Sequence, residues 1–134
     1  MKLQVLVNKV LRSLTGLHRD TPVSVLTAKS GQLSVHQRAA LFTVCSIHKA
    51  ITIEEPKYTF ATLKPRLPAA RNPRHHFNCY EVDYNLSISR TSFMYRGGRL
   101  YNQLPQELLK KVKQPEFRRG AKEWIKANIP LLPP

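Results

Sequence analysis

Apolar residues recur every three or four positions at both ends of this sequence, whereas its middle is rich in proline and basic residues. This spacing places apolar side chains along one face of a helix. Near the N-terminus the recurring apolar residues are Leu3, Leu6, Val7, Val10, Leu14 and Leu17. Because Lys2, Lys9 and Arg12 fall on the opposite side, the pattern predicts an amphipathic helix with a basic back.

Glycine and proline mark the ends of the first two predicted helices. Gly16 is placed to end the first helix, and Gly31 to end a short second helix that runs to about Lys29. Thr21 and Pro22 together suggest an N-cap followed by proline at the first helical position. The sequence therefore predicts a helical pair over its first 30 residues.

A third helix is predicted from Ser34, because Ser34 and Gln37 have the spacing of a capping box. Its predicted inner face should pack on the first helix. That face contains Leu41, Val44, His48 and Ile51, flanked by Val35 and Ile47.

Residues 54–90 lose this periodicity and combine cations with prolines, which cannot donate to a regular hydrogen-bond ladder. We expect a basic, irregular arm here. Residues 84–89 alternate apolar and polar side chains, which suggests one short strand.

Helical spacing returns after residue 91. Ser92 should cap a helix, Pro105 should open a short one that runs through Lys111, and Pro115 should open the last. The predicted inward residues are Phe93, Gly97, Leu100, Tyr101 and Leu104, then Phe117, Ala121, Trp124, Ile125 and Asn128.

The predicted fold class is mainly α. We expect a small domain of about five or six helices, with a long basic proline-rich loop and at most one short strand or hairpin. Residues 1–134 form one domain in this interpretation, divided into N-terminal helices (1–53), a basic arm (54–90) and C-terminal helices with a tail (91–134).

The net positive charge of the chain indicates an anionic partner. Lysine and arginine total 22 against 8 acidic residues, a formal charge of +14. A polyanion such as nucleic acid would supply the counter-charge. An anionic membrane surface, an acidic protein and a surface that merely aids solubility are the alternatives.

Two further observations concern location. No stretch approaches the roughly 20 apolar residues of a membrane-spanning helix, and two cysteines are too few for a disulfide scaffold. We expect an intracellular protein of the nucleus or cytoplasm that has no membrane partner.

Two blocks of sequence carry a family resemblance. The first comprises Asn8–Leu17, Thr21–Pro22 and Gly31–Gln37, and the second is Arg90–Pro105. In order and spacing they resemble the segment downstream of the polymerase palm in LINE-type non-LTR retrotransposon reverse transcriptases. Phe117 and the basic helix through Trp124 resemble the usual ending of that family. Tyr101 departs from it, because the family more often has tryptophan there.

The resemblance implies binding of nucleic acid without catalysis. The post-palm segment helps to hold template and primer, whereas the metal-binding palm carboxylates are missing; Tyr80–Asp83 lacks the paired aspartates of the polymerase turn. Partners would be RNA, DNA or their hybrid, with the polymerase core as a further expected partner and no cofactor. The residues expected to contact phosphates are Lys9, Arg12, Arg19, Lys29, Lys64, Arg66, Arg71, Arg74, Arg90, Arg96, Arg99, Arg118, Arg119 and Lys122.

Each of these cations has an ordinary alternative as a solvated charge or as the partner of a carboxylate. Phe93, Tyr95, Tyr101 and Trp124 are able to stack on unpaired bases. Their helical spacing favours core packing instead, with Tyr95 the best exception.

A zinc site is the metal hypothesis, because Cys45 and His48 lie one helical turn apart and His75, His76 and Cys79 follow later. The alternative, which we favour, is a small buried thiol and a packed histidine, so no metal is predicted. The sequence contains no glycine-rich phosphate loop or convincing catalytic triad.

The second functional hypothesis is a small basic helical module that docks another protein through its apolar faces.

Overall fold

A computed structural model describes residues 2–58 and 92–131 of the chain. The helices in these ranges are α1 (Lys2–Thr15), α2 (Val23–Ser30), α3 (Val35–Ile53), α4 (Phe93–Asn102), α5 (Gln106–Leu109) and α6 (Gln114–Asn128). These six helices, with no strand among the described residues, confirm the mainly α prediction. The strand predicted at 84–89 and most of the predicted basic arm lie outside the described ranges.

The chain divides into two compact units. The first contains residues 1–39 together with 125–134, and the second contains residues 40–124. The long helices α3 and α6 each contribute residues to both units. No helix within the described ranges is long and apolar enough to cross a lipid bilayer.

The glycine signals end α1 and α2 as predicted. Gly16 and Gly31 follow the two helices with φ of 65° and 64°, a left-handed conformation that glycine adopts at little cost. The start of α2 differs from the prediction. Pro22, not Thr21, holds the N-cap position, and no side chain caps this helix.

The apolar face of α1 is not its buried face. Gln4, Asn8 and Leu11 are buried, whereas the residues of the apolar stripe are largely exposed. Their exposed fractions are 57% for Leu3, 58% for Leu6, 58% for Val10 and 78% for Leu14. The side of α1 that faces the interior of the first unit is therefore the one that contains Gln4 and Asn8.

Hydrogen bonds explain why a polar side is tolerated inside the first unit. The Gln4 side-chain nitrogen donates to Asn8 Oδ1 at 2.8 Å, and Gln4 Oε1 accepts from the backbone N–H of Val35 at 2.7 Å. These bonds offset part of the cost of removing the two amides from water. The bond between Val35 and Gln4 joins α1 to the first turn of α3. The predicted packing of the inner face of α3 on α1 is wrong for His48, whose ring lies against Phe117 and Tyr101 in the second unit.

The capping box predicted at the start of α3 is confirmed. The backbone N–H of Gln37 donates to Ser34 Oγ at 3.2 Å, and the backbone N–H of Ser34 donates to Gln37 Oε1 at 3.3 Å. Gln37 Nε2 also donates to the carbonyl of Ile129 at 2.8 Å. One buried side chain thus joins the start of α3 to the residues that follow α6 within the first unit.

His48 lies at the centre of the second unit and is 2% exposed. Its ring stacks on Phe117 with centroids 3.7 Å apart. Nε2 is 2.7 Å from the carbonyl of Lys111, and Nδ1 is 3.0 Å from the hydroxyl of Tyr101. Because a carbonyl only accepts, we assign the ring proton to Nε2, which leaves Nδ1 to accept from Tyr101.

The predicted inward faces of α4 and α6 are correct in their middle and wrong at some ends. Gly97, Tyr101, Leu104, Phe117, Ala121 and Ile125 are buried. Phe93, however, is 46% exposed, and Asn128 is also exposed. Both lie at a helix end, beyond the packed middle of the helix.

Close contact between α3 and α4 depends on Gly97. A Cβ atom at this position would overlap Ile47 Cδ1 and lie 2.9 Å from Thr43 Cγ2. Two neighbours on one helix would therefore have to move together.

We predict that Gly97→Val lowers the free energy of unfolding by about 3 kcal/mol through overpacking, measured by urea denaturation. The control is Arg96→Val, at an exposed position of the same helix, which should cost less than about 1 kcal/mol. Equal effects of the two substitutions would show that the close contact does not limit stability.

Candidate nucleic-acid interface

Three of the predicted phosphate-binding cations line one open cleft in the first unit. Lys9 and Arg12 come from α1, and Arg19 comes from the turn after Gly16. The cleft has a volume of about 690 Å³. Its full lining is Val5, Lys9, Arg12, Ser13, Leu17, Arg19 and Asp20.

Arg12 is the anchored member of this group. Its Nη2 donates to the carbonyl of Thr21 at 3.0 Å, which holds the guanidinium against the segment that connects α1 to α2. Its Nε is buried and has no hydrogen-bond partner within the described residues. Arg12 is therefore held beside this segment by its Nη2, while its buried Nε does not face the open cleft.

The local charge of the cleft is positive. Asp20 is its acidic residue, and Asp20 Oδ2 lies 3.4 Å from His18 Nδ1 in an exposed pair. Lys9 and Arg19 are exposed, so their charges remain available to a ligand. Lys29 is also exposed, in the last turn of α2, but it does not line the cleft.

The second unit presents a further set of the predicted cations. Arg96 and Arg99 are exposed on α4, and Arg118 and Arg119 are exposed on α6, with Lys122 half-buried one turn after Arg118. Among the described residues, none of these five cations forms an ion pair with a carboxylate. Arg118 and Lys122 repel each other at this spacing, and a bound anion would relieve that repulsion.

Two of these arginines lie beside aromatic rings. Arg99 Nη1 donates to the Tyr95 hydroxyl at 2.7 Å, with its guanidinium carbon 5.4 Å from the centre of that ring. The Arg118 guanidinium lies 5.9 Å from the centre of the Phe42 ring. Phe42 is 58% exposed.

The aromatic residues considered from the sequence separate into different environments. Tyr101 is buried, Trp124 and Tyr95 are half-buried, and Phe93 is exposed at the start of α4. Phe42 was not predicted as a site residue. Its exposure could nevertheless have been predicted from the sequence, because helical periodicity places Phe42 on a different side of α3 from Val44 and Ile47.

Cys45 and His48 do not form a metal pair in this structure. Both ring nitrogens of His48 are hydrogen-bonded, and burial lowers the pKa of His48, opposed by its bond to the Lys111 carbonyl. Burial raises the pKa of the Cys45 thiol, although the charge of Arg118 acts in the opposite direction. No three histidine, cysteine, aspartate or glutamate residues come together within the described ranges.

The remaining sequence candidates lie outside the described residues. They are the cations Lys64, Arg66, Arg71, Arg74 and Arg90, the zinc candidates His75, His76 and Cys79, and the segment Tyr80–Asp83.

The arrangement is thus one of cations placed to hold an anion, with exposed aromatic surface beside some of them.

Comparison of the chain with protein-family models, with curated proteins and with solved structures gives no match.

Proposed function

We propose that this chain binds nucleic acid through phosphate contacts and has no catalytic activity of its own. The observation that carries the proposal is the convergence of Lys9, Arg12 and Arg19 on one open cleft of the first unit. Side chains from a helix and from the following turn meet there. A phosphate oxygen is the ligand that suits clustered ammonium and guanidinium groups.

The formal charge of the chain supports the same ligand class. A polyanion that binds +14 of protein charge releases condensed counterions, which favours binding and makes it depend on salt. Such contacts position a nucleic acid without reading its sequence. We therefore propose RNA, DNA or their hybrid as partners, with little sequence preference.

The resemblance to the post-palm segment of LINE-type reverse transcriptases supplies a biological setting for this proposal. In that setting the chain would act beside a polymerase core, inside the cell, where template and primer are held. The phosphate-binding proposal does not depend on this setting, because it rests on the cations themselves.

The test is binding of the purified chain to single-stranded RNA, duplex DNA and RNA–DNA hybrid across a salt series. We predict that Lys9→Glu with Arg19→Glu weakens binding to every substrate and reduces the salt slope by about 1 for each phosphate that is no longer neutralised. Arg12 is left intact because of its bond to Thr21.

A matched variant separates the cleft from charge in general. Lys57→Glu with Lys110→Glu makes the same change in net charge at exposed residues outside the proposed set. This control should keep most of the salt slope. Equal decreases in affinity for the two double variants would reject the cleft, and no binding by the folded wild-type chain would reject the function.

The exposed apolar stripe of α1 favours a second candidate, docking of another protein. Leu3, Leu6, Val10 and Leu14 follow the spacing of a helix that enters a groove. Because α1 contains Lys2 and Lys9 but no carboxylate, the partner would carry an acidic rim beside its apolar groove. A folded chain that binds no nucleic acid at low salt would favour this candidate.

A further inference from the structure

Phe42 is a large aromatic side chain at the surface of the second unit. It is 58% exposed on α3, although Leu41 and Val44 beside it are buried in the second unit. Exposed apolar surface costs free energy in water. An aromatic ligand that covered the ring would recover part of that cost.

The surroundings of Phe42 are cationic. The Arg118 guanidinium lies 5.9 Å from the ring centre, and Lys122 follows it on the next turn of α6. Lys49 is exposed two turns after Phe42 on the same side of α3. Neither Arg118 nor Lys122 pairs with a carboxylate among the described residues.

A ligand for this place needs a flat apolar face and a negative charge close to it. A nucleotide within a single strand meets both requirements, because its base stacks on an aromatic ring and its phosphate reaches the cations. The bases of a duplex are already paired and stacked on one another. A duplex therefore offers the phosphates without a free base face.

We propose that Phe42 and Arg118 form a stacking site for an unpaired base, so that the second unit binds single-stranded nucleic acid in preference to duplex. This inference rests on the proposed nucleic-acid function and adds the class of strand. Every base has a stacking face, so the site should tolerate any sequence.

Among the described residues, Tyr95 also lies beside an arginine, and it fits the role less well. Its hydroxyl accepts from Arg99, and its ring is half-buried. Phe42 has no polar atom to satisfy and more open ring surface. The stacking site is accordingly assigned to Phe42.

The first experiment compares a 12-nucleotide oligouridine with a 12-base-pair DNA duplex as probes for the whole chain. Phe42→Ala should weaken oligouridine binding about 5- to 150-fold, the range typical for removal of one stacked base. Duplex binding should change less than about twofold. Phe42→Leu keeps much of the apolar side-chain volume but has no aromatic face. We therefore expect it to weaken oligouridine binding as much as Phe42→Ala does.

Phe93→Ala is the matched control. Phe93 is also exposed, at 46%, and within the described residues no cation lies over its ring. We expect it to leave oligouridine affinity unchanged. Circular dichroism and urea denaturation of each variant show whether it is folded before its affinity is compared.

Phe42→Trp allows stacking to be measured directly by tryptophan fluorescence. Oligouridine should quench its fluorescence more than it quenches the wild-type chain, whose single tryptophan is Trp124. Affinity should stay within about threefold of wild type, because the aromatic face is kept.

The outcomes separate this inference from the function on which it rests. If Phe42→Ala leaves oligouridine binding intact while Lys9→Glu with Arg19→Glu weakens it, the stacking site is rejected and phosphate binding stands. Equal decreases in affinity for oligouridine and duplex also reject stacking. If the wild-type chain binds neither probe, both proposals fail together.

Discussion

Replacing His48 with alanine is expected to lower the free energy of unfolding by about 4 kcal/mol. The substitution empties a fully enclosed place beside Phe117, which costs about 2–5 kcal/mol for large core side chains. It also leaves the Tyr101 hydroxyl and the Lys111 carbonyl without their buried partner. Urea denaturation followed by circular dichroism measures this decrease.

Tyr101→Phe separates the two causes. It removes one hydrogen bond to Nδ1 and keeps the ring volume, so we expect a decrease of about 1–2 kcal/mol. If His48→Ala costs no more than Tyr101→Phe, the histidine is not a structural centre of the second unit.

Acid should destabilise the chain partly through the same residue. Burial lowers the pKa of His48 in the folded state, whereas an unfolded histidine has a pKa near 6.5. The unfolded state therefore binds a proton at a pH where the folded state does not. The contribution of His48 is fully present above pH 6.5 and falls as the pH drops from 6.5 towards the folded-state pKa.

His48→Phe provides the comparison, because it keeps a ring against Phe117 and removes the titrating group. The difference in unfolding free energy between wild type and this variant should fall as the pH decreases from 7 to 5. The other histidines are present in both proteins and cancel. A difference that is constant with pH would contradict the assigned shift.

Replacing Gln37 with alanine is expected to cost about 3 kcal/mol in the first unit. Its side chain is 3% exposed, accepts from the backbone N–H of Ser34 and donates to the carbonyl of Ile129. Alanine leaves the buried N–H of Ser34 and the part-buried carbonyl of Ile129 without this partner, and a buried group that loses its partner costs about 1–3 kcal/mol. The measurement is again the free energy of unfolding in urea.

Gln32→Ala is the control for Gln37→Ala. Gln32 is exposed and accepts from Arg38 Nη2 at 3.3 Å at the surface, so its removal should change stability by less than about 0.5 kcal/mol. Ser34→Ala combined with Gln37→Ala should cost less than the sum of the single changes, because both remove the capping box. Strict additivity would argue against the reciprocal cap.

Helix number and several helix ends were predictable from the sequence because they depend on neighbours in the chain. The exceptions include the start of α2, where Pro22 replaces Thr21 as the N-cap, and the end of α5, which stops at Leu109 before the predicted Lys111. Gly16 and Gly31 end α1 and α2, and Ser92 caps α4 by accepting from the backbone N–H of Tyr95. Ser34 and Gln37 satisfy each other three positions apart. These devices join residues within one turn, so their energetics are local and readable from spacing.

The orientation of α1 was not predictable in this way. Periodicity shows which side chains share a face, but the direction of that face depends on what lies opposite. The bond from Val35 to Gln4 joins residues 31 positions apart, and it helps hold the polar side inward while Leu6 and Leu14 stay exposed. Burying an amide without a hydrogen-bond partner costs more free energy than leaving a leucine side chain exposed to water. The arrangement that pairs Gln4 is therefore favoured even though leucines stay exposed.

The same distinction holds for the candidate interface. The sequence by itself determined a strongly basic, mainly helical chain and identified Lys9, Arg12, Arg19 and Arg118 as possible phosphate contacts. Tertiary structure decided which of them converge, by turning the chain after α1 to bring Arg19 into the cleft and by placing Arg118 over Phe42. Charge and periodicity are properties of the residues along the chain, whereas a site requires distant residues to be brought together by packing.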